Sequence, residues 1–115
     1  MPEQYLQSIE DFTSALEILK GCVSDVTTDR SIAEIQYQTG VASVYAGQYD
    51  DGVTHFRDAL AVLEAKMTAL RATVAAAEGK DVVEESTEVM DARAEMKEIA
   101  ELIPEIKLKV YISLL

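Results

Sequence analysis

The stretch AEIQYQTGVASVYAGQYDD, residues 33–51, decides the fold. Ile35, Thr39, Ala42 and Ala46 recur at helical spacing and make a narrow stripe of small residues. A glycine in a helix costs about 0.5–1 kcal/mol relative to alanine, so Gly40 in mid-helix implies that another helix packs very close there. Gly47 stands at the carboxyl end, where a left-handed residue can satisfy the last carbonyls, and Gly47-Gln48-Tyr49 reads as a turn into a further helix. Glu34, Tyr37, Val41 and Tyr45 fall at 3-4-4 spacing on a different face. Burial of the first stripe does not explain that second face.

Working outward, Tyr49, Val53, Phe56, Leu60, Leu63, Met67, Leu70 and Val74 keep a 4-3 spacing over more than three heptads. The segment AEGKD, residues 77–81, breaks the pattern. Val89, Ala92, Met96, Ile99, Ile103, Ile106 and Val110 resume it, so the two long helices are expected to pack as an antiparallel hairpin. Pro104 lies inside the last pattern and predicts a kink or a local restart. Upstream, Tyr5, Ile9, Phe12, Leu16 and Leu19 mark one face of an amphipathic helix that Gly21 and the polar residues Ser24–Asp29 should end or weaken. A second helix then opens near Asp29 or Ser31. Nothing alternates as a strand would. The expectation is an all-α chain with helices over residues 4–22, 30–47, 49–77 and 82–113.

The 115 residues suit one domain, and 49% hydrophobic content with two prolines and five glycines fits a folded helical chain. No run of 18 apolar residues and no signal-like amino terminus is present, so neither a membrane span nor a secretory leader is expected. A single cysteine, Cys22, cannot form an internal disulfide and fits a reducing compartment such as cytosol or nucleus. The net charge of -11 disfavours direct nucleic-acid binding, which needs a basic stripe. Solubility accounts for such acidity, and so does a basic partner.

A self-comparison finds a repeat. YLQSIEDFTSAL (residues 5–16) and YDDGVTHFRDAL (residues 49–60) align Tyr5 with Tyr49, Ser8 with Gly52, Phe12 with Phe56 and Ala15 with Ala59, an offset of 44 residues. A tetratricopeptide (TPR) unit has about 34 residues, and the extra length falls around Leu19–Asp29. Gly40, Gly47, Tyr49, Gly52, Phe56 and Ala59 occupy the small, turn and aromatic positions of such a unit, with Gly52 standing where the consensus has alanine. Residues 33–46 would then line the concave groove, and the helix from Tyr49 onward the convex side.

AEIQYQTGVASVYAGQYDDGV followed by FRDALAVLEAKMTAL, AAAEGK and AELIPEIKLKV resembles the carboxyl-terminal part of the nuclear autoantigenic sperm protein (NASP) family, the SHNi-TPR histone chaperones. The resemblance covers roughly residues 5–110. It implies a TPR-like superhelix with an over-long second helix and a capping helix bearing the LLPEI-like motif Leu102–Ile106. Residues 5–19 resemble the second helix of the preceding repeat. The chain starts in mid-repeat relative to the family, lacking its acidic insertion and basic tail, and both a natural short form and a piece of a longer chain fit. Its end, VYISLL (residues 110–115), is more apolar than the family's.

By resemblance, Glu34, Tyr37 and Val41 match family positions that contact histone three, with Val41 smaller than the usual leucine, and Glu3 matches another groove glutamate. Gln38 and Tyr45 are added from helical geometry. The plainer reading packs Tyr37 and Val41 on the neighbouring repeat and leaves Glu34 in solvent. Electrostatics contributes separately: residues 31–50 hold no lysine or arginine, so this groove should prefer a cation, with Glu34 accepting charge-assisted hydrogen bonds and Tyr37 stacking on a guanidinium. Residues 78–105 carry ten acids against three bases, either a solvated outer face or a supplementary surface for histones. His55 reads as a surface residue. No nucleophile–base set, phosphate loop, metal spacing or cofactor motif is present, and an enzyme is not expected. The resemblance implies a nuclear, or nuclear and cytoplasmic, chaperone of histones three and four. A structural oligomerisation module and a TPR adaptor for another basic ligand are the alternatives. The apolar face of the first helix, which lacks its repeat partner, should be covered by self-association or by the tail Tyr111–Leu115.

Overall fold

The computed structural model describes residues 2–78 and 86–115. Among them are four helices, α1 (Pro2–Cys22), α2 (Arg30–Tyr45), α3 (Tyr49–Glu78) and α4 (Thr87–Leu114), and no strand. The all-α expectation holds, and the TPR-like arrangement is compatible with it. α1 runs through Gly21 before it stops, the Val23 N–H closing its last turn on the Leu19 carbonyl. In the loop that follows, Asp25 accepts a hydrogen bond from the Thr27 N–H at 2.9 Å and a second from its hydroxyl.

Local chemistry sets the boundaries of α2. Asp29 caps its start by accepting a hydrogen bond from the Ser31 N–H at 2.9 Å. At its end the Gln48 N–H reaches the Ser43 carbonyl at 2.8 Å and the Gly47 N–H reaches Val44 at 3.0 Å, the paired bonds of a Schellman motif. That motif needs a left-handed residue, and Gly47 supplies it with φ 81°. Ser86 caps α4 by accepting from the Val89 N–H at 3.3 Å. The expected residues 82–85 of that helix lie outside the described residues. α4 then continues as one helix through Pro104, so of the expected kink or local restart no restart occurs. Pro104 and Ala100, whose carbonyl loses its intrahelical partner, are both exposed, so water can take that role.

The core lies between α2, α3 and α4. Ile32 and Ala33 of α2, Phe56, Ala59, Leu63 and Met67 of α3, and Val89, Ala92, Ile99 and Ile106 of α4 are buried together. The α3–α4 pair is antiparallel, as expected. Glu64 meets Lys107 at 3.8 Å near one end and Glu78 meets Arg93 at 3.5 Å near the other. The narrow α2 stripe needs correcting. Ile35 and Ala46 are only half-buried, whereas Ile32, Ala33, Gln36, Gly40 and Ser43 join Thr39 and Ala42 in the interior. α2 contacts both α1 and α3, so it buries two faces instead of one.

The tight crossing expected at Gly40 is present. A Cβ there would lie 2.7 Å from two Phe56 ring carbons and 3.2 Å from the Gly52 carbonyl oxygen. A Cβ at Gly52 would lie 2.7 Å from Val44 Cγ2 and 3.2 Å from the Gly40 carbonyl. The two backbones therefore meet glycine on glycine, which accounts for Gly52 where the TPR pattern has alanine. α1 is covered far less: Tyr5, Ile9, Phe12, Leu16 and Leu19 are all half-buried, and Leu6 and Ile18 are exposed. The tail does not cover it. Tyr111, Ile112, Leu114 and Leu115 are exposed, Leu115 at 89%, so they occupy neither the open face nor a groove.

Candidate functional site

α2 and α4 flank a groove of about 570 Å³ to whose base α3 contributes Leu63. Ala33, Leu63, Leu102 and Ile106 give it an apolar base, Glu34, Tyr37 and Gln38 form the α2 wall, and Glu95 and Glu105 stand on the α4 wall. Such a volume accommodates a few side chains of a docked segment.

One end of the groove is closed by charge. Arg30 Nη1 lies 2.7 Å from Glu98 Oε2 and 3.4 Å from Glu95 Oε2, while Glu95 Oε1 also meets Lys66 Nζ at 3.8 Å. The hydrogen bond to Glu98, aided by Glu95 and opposed by burial, raises the Arg30 guanidinium above its ordinary range. Arg30 thus joins the start of α2 to α4, and its charge is consumed locally. Glu34 and Glu105 form no ion pair with any described residue. The lining sums to three acids and one base, leaving net negative charge over an apolar base.

Of the residues named from sequence, the groove gathers Glu34, Tyr37 and Gln38. Val41 is half-buried against the core and is not part of the groove lining. Tyr45, although 64% exposed, stacks on Tyr5 of α1 with ring centroids 5.2 Å apart, so it faces away from the groove. Glu3 is exposed in the first turn of α1 and contributes nothing to the groove lining. Tyr37 serves both readings: its ring lies 5.7 Å from Phe56 at 44°, yet it lines the groove. His55 is half-buried.

The groove is not free of cations. Arg30 lies one residue before the segment that holds none, and Lys109 Nζ stands 6.0 Å from the Tyr37 ring centroid. The α4 wall was not assigned from sequence, although a signal for it existed. Glu95, Glu98, Leu102, Glu105 and Lys109 recur at 3-4-3-4 spacing, one helical face beside the buried stripe of Ile99 and Ile106.

No protein-family model matches the chain. Individual relatives do. It is 35% identical over 108 residues, 94% of its length, to Protein HGV2 of Halocynthia roretzi. Over 77 residues, 67% of its length, it is 38% identical to the nuclear autoantigenic sperm protein of Homo sapiens. The chain belongs to the NASP-like family. A further relative of this NASP-like chain, at 34% identity over 65 residues, is the histone-binding protein N1/N2 of Xenopus laevis. The aligned regions are 20%, 10% and 11% of those three proteins, so the chain corresponds to a small part of each.

Proposed function

We propose that the chain is a histone-binding module of the chaperone type, whose groove between α2 and α4 receives a basic helix of histone three, free or paired with histone four. The observation that carries this reading is the pairing of an apolar base with the uncommitted carboxylates Glu34 and Glu105 on opposite walls. A helix with an apolar anchor flanked by Arg or Lys would bury the anchor against Leu63, Leu102 and Ile106 and offer a cation to each wall. Relatives that include a histone-binding protein favour histones over other basic ligands. Shielding a basic helix from wrong contacts is the chemistry of a chaperone, and relatives named as a nuclear and a histone-binding protein support a nuclear, or nuclear and cytoplasmic, location.

Pull-down with the four core histones tests this. Wild type is expected to retain histone three, and Glu34→Lys, a two-charge reversal on the groove wall, to lose most of it. Tyr37→Ala is expected to weaken retention with helicity preserved by circular dichroism. Unchanged retention in both variants would reject the groove, and no retention by wild type would reject the function.

A second reading, self-association, rests on Leu108, Tyr111, Ile112 and Leu115. Leu108, Tyr111 and Ile112 lie at i, i+3 and i+4 of α4, Leu115 follows as its C-cap, and all four are exposed. Sedimentation velocity should show association that Ile112→Lys suppresses; a monomer at all concentrations removes this reading.

A further inference from the structure

The Tyr37 ring has two neighbours within the chain, one aromatic and one cationic. Phe56 packs on it at 5.7 Å, tilted by 44°, and Phe56 is fixed in the core with 1% exposure. The Lys109 ammonium stands over the ring, 6.0 Å from the centroid. Glu105 lies one helical turn before Lys109, the spacing of a favourable intrahelical ion pair. Yet Lys109 forms no ion pair with any described residue, and neither does Glu105. The lysine has the ring and leaves the carboxylate open.

We propose that Lys109 is a built-in competitor for the cation site on Tyr37, so that a ligand cation must contend with it for the ring. The inference rests on the groove reading above and adds a specificity element to it. A guanidinium is less strongly hydrated than an ammonium and engages an aromatic face better. An incoming arginine therefore gains on exchange, while an incoming lysine only replaces one ammonium with another. The groove thereby favours arginine at that position. The displaced Lys109 can swing to Glu105, one turn back on its own helix.

Calorimetric titration of the whole chain with a synthetic amphipathic helical peptide bearing two arginines around a leucine tests the idea. Lys109→Met keeps an unbranched apolar stem and removes the charge, and it should tighten peptide binding about two- to fivefold, the worth of one exposed cation–π contact. Lys107→Met makes the same charge change on a lysine bound to Glu64, and it should produce the smaller gain of general electrostatics. In a Tyr37→Leu background the additional gain from Lys109→Met should vanish. In the free protein, the Lys109 side-chain methylene protons next to the ammonium should show an upfield ring-current shift by NMR that Tyr37→Leu abolishes. Equal gains from Lys107→Met and Lys109→Met, or no ring-current shift, would overturn the competitor role while leaving the groove standing. Failure of wild type and Lys109→Met alike to bind the peptide would overturn both.

Discussion

Replacing Gly40 by alanine gives the sharpest test of the architecture, because two effects oppose each other and the structure decides between them. Helix propensity alone favours alanine by about 0.5–1 kcal/mol. Against that, the new methyl would lie 2.7 Å from Cδ1 and Cε1 of Phe56 and 3.2 Å from the Gly52 carbonyl oxygen, well inside the roughly 3.5–4 Å of an ordinary carbon contact. A flexible neighbour could yield cheaply. Phe56 cannot, since it is 1% exposed in the core, and Gly52 presents backbone. Overpacking of this kind costs about 1–3 kcal/mol. The net expectation is destabilisation by roughly 1–2 kcal/mol, a fall in Tm of about 4–10 °C by circular dichroism. Urea unfolding should show a lower midpoint with the slope unchanged. Because Phe56 also supports Tyr37, the same variant should weaken ligand binding without touching the groove lining. In a Phe56→Leu background, where the ring is gone, the penalty of Gly40→Ala should shrink or reverse. A single Gly40→Ala variant as stable as wild type, or more so, would refute the close crossing.

Arg30→Met should change stability by less than about 1 kcal/mol, because its ion pairs are partly solvated. It should tighten binding of an arginine-bearing peptide, since Glu98 is released and Glu95 keeps Lys66 alone among the described residues; calorimetry reads both effects. The Asp25 carboxyl sits below its ordinary value of 3.8, chiefly through the Thr27 hydroxyl and next through the Thr27 N–H. A lowered folded-state value means that Asp25 stabilises the loop above that ordinary value and that this contribution is lost as pH falls through the folded one. Thr27→Val should therefore raise the Asp25 titration midpoint toward 3.8 in a carboxyl NMR titration, and an unmoved midpoint would reject the hydroxyl as its main cause.

Much of the fold was legible because its determinants are local. Asp29, Gly47 and the 4-3 apolar spacing act within a turn or two of themselves, so they place α2, its Schellman end and the long hairpin without reference to distant chain. Gly40 announced a close neighbour for the same reason: a costly residue in a helix needs a packing cause. The sequence did not reveal that this neighbour is Gly52, or that Ile35 and Ala46 lie at the edge of the buried surface. Both depend on α2 packing against two helices at once.

The groove divides in the same way. Glu34, Tyr37 and Gln38 share a helical face by spacing alone, so that face and the chain's net charge of -11 could be read without any tertiary contact. Tyr45 shares the spacing too, yet it stacks on Tyr5, because where α1 lies is a matter of packing between helices. The opposite wall of Glu95, Leu102 and Glu105, the Arg30 bridge that closes one end, and Lys109 over Tyr37 join residues 65 to 72 positions apart in the chain. Helical periodicity orders side chains around one axis and says nothing of how two axes sit against each other. Only the packing of α4 across α3 turned an acidic helix face into a walled groove and placed a cation of the chain's own beside the Tyr37 ring.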